Sequence, residues 1–146
     1  MAIIDSKLEF SDAQVISCAS GSEMISENVI QMNAVKNAWG TAITGDYGEG
    51  NNGLVVNIQV ATVFEASARM KAKLYTHTTS AVQSGTAIGE TAFFAAEAPV
   101  GTKKMIRVPA GTMQKYIGLG YSVSGSSMDS GAVDAWLGLD HQTPSA

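Results

Sequence analysis

The stretch Lys115-Tyr116-Ile117-Gly118-Leu119-Gly120-Tyr121-Ser122-Val123-Ser124 decides the fold class. Ile117, Leu119, Tyr121 and Val123 share one parity, and Gly118, Gly120, Ser122 and Ser124 take the other. Side chains on a strand point alternately to opposite faces, so this pattern describes a strand with one core face and one outward face. A few residues on, Val133, Ala135, Leu137 and Leu139 alternate with Ala132, Asp134, Gly138 and Asp140. Two further stretches repeat the pattern. Leu54, Val56, Ile58 and Val60 alternate with Val55, Asn57 and Gln59. Ala68, Met70, Ala72, Leu74 and Thr76 alternate with Arg69, Lys71, Lys73, Tyr75 and His77.

Weaker strand signals fill the rest. Ile3 to Phe10 reads as an extended arm or first strand, broken at Ser11-Asp12. Ala13 to Cys18 reads as a short strand, closed by Ser20-Gly21-Ser22. Glu27 to Met32 is β-leaning. Ala87 to Ala95 is a plausible strand interrupted at Phe93-Phe94, and Lys104 to Val108 is short and β-rich. Helices drawn over Asp12 to Ala19 or Phe64 to Leu74 compete with these readings. The second would scatter Arg69, Lys71 and Lys73 around its circumference, whereas a strand lines them up, so the strand is preferred.

About eight short antiparallel strands, with turn signals roughly every 8–12 residues, give an all-β class: a jelly-roll-like β-sandwich or a small barrel. Residues 1–12 are expected to form the arm or first strand, 13–140 one sandwich domain and 141–146 a flexible tail. One domain is the natural reading of 146 residues. Gly40 to Gly53 reads as the main loop.

Composition narrows the function. The net charge is −4, which argues against a nucleic-acid partner. It is unevenly spread: residues 1–66 hold eight acids and two bases, and residues 67–115 hold seven bases and two acids. Such polarity can orient a molecule on an oppositely patterned neighbour. The first ten residues lack the basic start and apolar run of a signal peptide, and no stretch approaches the length of a membrane helix, so no membrane partner is expected.

Sites for chemistry are weighed and set aside. The lone Cys18 lacks a local activating motif and reads as a structural thiol. His77 and His141 stand 64 positions apart, without the ligand spacing of structural zinc. The loop around Asp46, Glu49, Asn51 and Asn52 lacks the spaced acids of an EF-hand. No nucleophile elbow or phosphate loop is present. The expectation is a non-enzyme with no cofactor, no catalytic residue and no metal site. Sugar binding on Trp39, Tyr47 or Trp136 is the alternative, with Asp5 and Glu9 as paired acids. Gly118 and Gly120, with Ser122, mark a smooth strand face that another backbone or side chain approaches closely.

Three blocks carry a resemblance. The opening Ile3-Ile4-Asp5-Ser6-Lys7-Leu8-Glu9-Phe10-Ser11-Asp12-Ala13-Gln14 is the first. The second is Val100-Gly101-Thr102-Lys103-Lys104…Arg107-Val108-Pro109 with Tyr116-Ile117-Gly118-Leu119-Gly120-Tyr121. The third is Gly131-Ala132-Val133-Asp134-Ala135-Trp136-Leu137. In this order they resemble the capsid cement proteins of tailed bacteriophages, in the family typified by the cement protein of a Bordetella podophage. Residues 40–53 have no counterpart in that pattern. The resemblance implies a jelly-roll protein on the outer surface of the virion's icosahedral head, made in the host cytoplasm. Its partners would be the major capsid protein and further copies of itself, as homodimer or homotrimer. The arm residues Ile3, Ile4, Leu8 and Phe10 and the cationic row Arg69, Lys71 and Lys73 are then the candidate capsid contacts. Gly118, Gly120 and Ser122 are the candidate oligomer contact.

Overall fold

The structure is a computed structural model that describes residues 8–32, 39, 54–109 and 113–139. Among the described residues nine strands run in chain order: β1 (Glu9–Cys18), β2 (Glu23–Ile25), β3 (Ile30–Gln31), β4 (Leu54–Thr62), β5 (Ala68–His77), β6 (Thr86–Glu90), β7 (Lys103–Arg107), β8 (Tyr116–Gly125) and β9 (Met128–Leu139). No α-helix occurs among the described residues.

The strands form two antiparallel sheets, ordered β1-β9-β4-β7 and β2-β8-β5-β6, with β3 pairing β8 beside β2. The pairings nest: β1 with β9, β2 and β3 with β8, β4 with β7, and β5 with β6. This is one long antiparallel ribbon. It is rolled so that β4 also meets β9 and β5 also meets β8. A ribbon rolled in this way is a jelly roll. The β1–β2, β4–β5, β6–β7 and β8–β9 connections each cross between sheets, and antiparallel pairing brings all four to the same end of the sandwich.

The parity read from sequence sets the core. Ile117, Leu119, Tyr121 and Val123 from β8 face Val56, Ile58 and Val60 from β4 and Val133, Ala135 and Leu137 from β9, all buried. Met70, Ala72 and Leu74 of β5 complete the layer. Two crossing connections add rings: Phe64 follows β4, Phe94 follows β6, and they meet edge to face at 5.8 Å. Each fully buried side chain of this size contributes about 1.5–3 kcal/mol.

Three boundaries differ from the sequence reading. Ser11-Asp12 does not break the first strand: β1 runs through it as a bulge, so the arm boundary expected at residue 12 falls inside a core strand. The irregularity shows at Ala13, whose φ is +46° and whose N–H donates to Asp134 Oδ1 at 2.6 Å. The bulge turns Ser11 inward, where its hydroxyl donates to Gln14 Oε1 at 2.6 Å and lies 2.7 Å from the Tyr121 hydroxyl. A satisfied local network thus replaces the expected turn. Next, β6 ends at Glu90, and beyond it the contact with β5 is kept by the Thr91 N–H donating to Ala72 O at 2.9 Å and by an isolated bridge from Phe94 to Met70. Last, β9 starts at Met128, because the positive φ of Gly125 closes a tight turn through Ser126 and Ser127.

The eight strand positions of a jelly roll are kept because β2 and β3 are halves of one interrupted strand. At the interruption, Ser26 Oγ accepts the Leu119 N–H at 3.1 Å while the Ser26 N–H donates to Leu119 O at 2.8 Å. The freed chain turns to the other sheet: Asn28 N–H donates to Phe10 O at 3.0 Å, and Glu27 N–H to Gln14 Oε1 at 2.9 Å. These bonds fasten one open side of the sandwich.

Candidate functional site

Strands leave two outward sheet faces and two ends as surfaces for a partner. The outward face of the β2-β8-β5-β6 sheet carries the cationic row. Arg69, Lys71 and Lys73 stand side by side on β5 as the alternation predicts, but they are not equivalent. Lys71 Nζ pairs with Glu90 Oε2 at 3.0 Å and lies 5.3 Å from the Phe93 ring centre. Lys73 Nζ pairs with Glu23 Oε2 at 3.2 Å. Arg69 has no ion pair among the described residues. The row does not lie at a sheet edge, since β5 is flanked by β8 and β6. The edge cations are Lys103, Lys104 and Arg107 on β7. Of these, Lys103 lies 5.2 Å from the Trp136 ring centre and Lys104 5.4 Å from that of Phe94.

Gly118 and Gly120 are buried, which removes them as an open oligomer contact. A Cβ on Gly118 would stand 2.6 Å from Val82 Cγ2. One on Gly120 would stand 2.5 Å from Glu23 Oε1 and 2.7 Å from Tyr75 Cε2. The smooth face is a bed for this chain's own side chains, as the close-approach reading expected. Ser122 is half-buried and donates to Glu23 Oε2 at 2.6 Å. The arm candidates also divide. Ile3 and Ile4 lie outside the described residues. Leu8 is exposed. Phe10 has no exposed surface and belongs to the core, so it does not reach a partner.

Over Gly120, Glu23 gathers three donors: Ser122, Tyr75 and Lys73. Burial works upward on the Glu23 carboxyl, but these hydrogen bonds outweigh it and hold the group below its ordinary value. Burial, then the bond to Glu23, pushes the Tyr75 phenol up to about 12. The signs give a pH window. Stability from Glu23 is present above its unfolded value near 4.5 and is lost as pH falls through its lower folded value. Stability from Tyr75 is present below 10 and is lost as pH rises towards about 12. Urea midpoints measured against pH should therefore decline below pH 4.5 more steeply for the native chain than for Glu23→Gln. Equal slopes would mean that the cluster does not tether β2.

The remaining candidates have structural surroundings. Burial, then Glu23, pushes the Cys18 thiol up, which disfavours the thiolate. His77 Nδ1 accepts from the Thr79 N–H at 3.0 Å, as part of a turn. His141, Tyr47 and the Asp46 to Asn52 loop lie outside the described residues. Trp39 is 88% exposed, and Trp136 is half-buried beneath Lys103. Asp5 is outside the described residues, and the Glu9 carboxyl is pushed up by burial and then by Asp12, Asp134 and Glu27. Among the described residues no three His, Cys, Asp or Glu side chains are grouped to hold a metal.

The end where the four connections cross holds a feature that sequence reading missed. Ala66, Ser67, Arg69, Ala96, Glu97, Ser124 and Gly125 line an open notch of about 620 Å³. They come from the β4–β5 and β6–β7 connections, with the start of β5, and from the end of β8. Nothing local in the sequence signals that these three segments converge.

The family model described as Bbp16 matches residues 10–137, a span that runs from β1 into β9. The chain belongs to the Bbp16 family. This is a phage-associated family, and membership makes the chain a phage-related protein. No curated protein matches the chain.

Proposed function

We propose that this Bbp16-family protein is a capsid cement protein, which binds the outer surface of an icosahedral phage head and bridges major capsid protein subunits. The family match over residues 10–137 carries the reading. The fold supports it: a jelly roll with a closed core offers outward sheet faces and a loop-built end for adhesion. The mechanism is physical. DNA packing pushes outward on a thin shell. A molecule that holds two or three shell subunits raises the effective concentration of each contact for the next. Preference for the expanded shell stabilises that state by mass action. Self-association at a symmetry axis would repeat one patch.

The test combines copy number with attachment. Purified virions should carry roughly tens to hundreds of copies, on the scale of the lattice's symmetry axes. Purified protein should pellet with expanded heads that lack it. A handful of copies per virion would end the cement reading and favour a tail or head-completion role. Binding on a glycan array with no attachment to heads would favour a sugar-binding module. The arm is tested by removing residues 1–7, which spares the core ring of Phe10. The shortened protein should fold and hold heads more weakly.

A further inference from the structure

We propose that the notch beside Arg69 is a socket for one acidic side chain of the protein partner. The identity of that partner as the shell protein rests on the cement reading.

Three observations converge on it. First, the cations of the β5 row differ in state. Glu90 neutralises Lys71 and Glu23 neutralises Lys73, whereas Arg69 is exposed and has no ion pair among the described residues. A guanidinium takes a carboxylate through two parallel hydrogen bonds, which fixes orientation as well as charge. Second, Arg69 is the one member of the row that lines the notch, whose small walls are Ala66, Ala96 and Gly125. Ser67 and Ser124 line the same space, and neither hydroxyl has a hydrogen-bond partner among the described residues. Third, Phe93 is 42% exposed and lies on the same outer face against Lys71. Arg and exposed aromatic side chains are the residue types enriched where proteins anchor to one another.

Glu97 selects among anions. Glu97 lines the same notch and makes no ion pair among the described residues. It disfavours a dianion such as inorganic phosphate. It suits a single carboxylate that carries a donor alongside, as an Asp or Glu side chain does with its own backbone N–H.

The test has two arms. In the first, N-acetyl-glutamate methylamide is titrated into the full chain and followed by NMR, with the glutamine analogue and inorganic phosphate as comparisons. The acid should shift the Arg69 side chain and the Glu97 and Ser124 amides along a saturable curve. The glutamine analogue should leave these signals in place. Phosphate should move them less, and Glu97→Gln should narrow that gap. Arg69→Gln should abolish the response. In the second arm, attachment to expanded heads should fall at least about tenfold for Arg69→Gln and recover in part for Arg69→Lys. Gln83→Ala, exposed at the opposite end, should match the native chain. Absence of a localised shift with the acid overturns the socket. So does a normal response to the acid with unchanged attachment of Arg69→Gln. If the native protein binds the acid at the notch but does not attach to heads, the cement reading fails and the carboxylate socket stands.

Discussion

Alanine in place of Phe64 is expected to lower folding stability by about 3–5 kcal/mol, read as a shift of the urea midpoint at unchanged slope. Phe64 is 2% exposed and sits in the connection that carries the chain from β4 to β5. It stops one end of the core where two crossings run side by side. Its ring meets Phe94 from the β6–β7 crossing at an interplanar angle of 76°. Removing it deletes the buried area and also leaves a void that two sheets held by many ladders cannot close. The loss therefore belongs at the upper part of the usual large-to-small range. A cycle with Phe94→Ala separates the two contributions. The pair should be coupled by about 0.5–1.5 kcal/mol beyond simple burial. A loss below 1 kcal/mol for Phe64→Ala would mean that this end of the core is not packed as described.

The same residue shows what could be read from the chain and what could not. The alternation in residues 54–60, 68–76, 117–123 and 133–137 is local, and it placed those strands with their buried faces. The strand reading of Phe64 to Leu74 was right for β5, which begins at Ala68. Phe64 itself lies outside the alternation, so its role in the core had no local signal. Alternation also says which side a residue faces but not what covers it. Gly118 and Gly120 looked smooth and open because Val82, Glu23 and Tyr75, which lie on them, come from distant parts of the chain. The cationic row looked uniform because the acids that neutralise Lys71 and Lys73 sit at positions 90 and 23. Ser11-Asp12 looked like a break because the partners of Ser11 and Ala13, Tyr121 and Asp134, are more than a hundred residues away. Periodicity gave the fold class, while nested pairing decided the surface.

Gly125 offers the second large effect. Substitution by alanine should cost more than about 3 kcal/mol, whereas Gly21→Ala and Gly101→Ala should each cost about 1–2 kcal/mol. All three glycines have φ between +82° and +91°, where an L side chain is strained. They differ in what a side chain would meet. Nothing lies within 4 Å of a Cβ placed on Gly21 or Gly101. A Cβ on Gly125 would overlap the backbone carbonyl oxygen of Ser67, which cannot swing aside as a side-chain tip can. That oxygen also accepts the Ser126 N–H at 3.2 Å, and Ala68, next to Ser67, pairs with Gly125 at the start of the β5–β8 ladder. Relief of the overlap must open the first pair of the ladder or the turn into β9. Ser67 itself has a φ of +69°, so the backbone there is already strained, and Glu97 across the notch has a φ of +55°. Uncommon backbone conformations concentrate around Arg69, and they hold its surroundings in one shape. Gly125→Ala should accordingly disturb the acid response of the notch as well as stability. Gly101→Ala should leave that response intact. If the three alanine variants lose equal stability, the conformational strain alone sets the cost, and the close approach of Ser67 to Gly125 is not a feature of the folded protein.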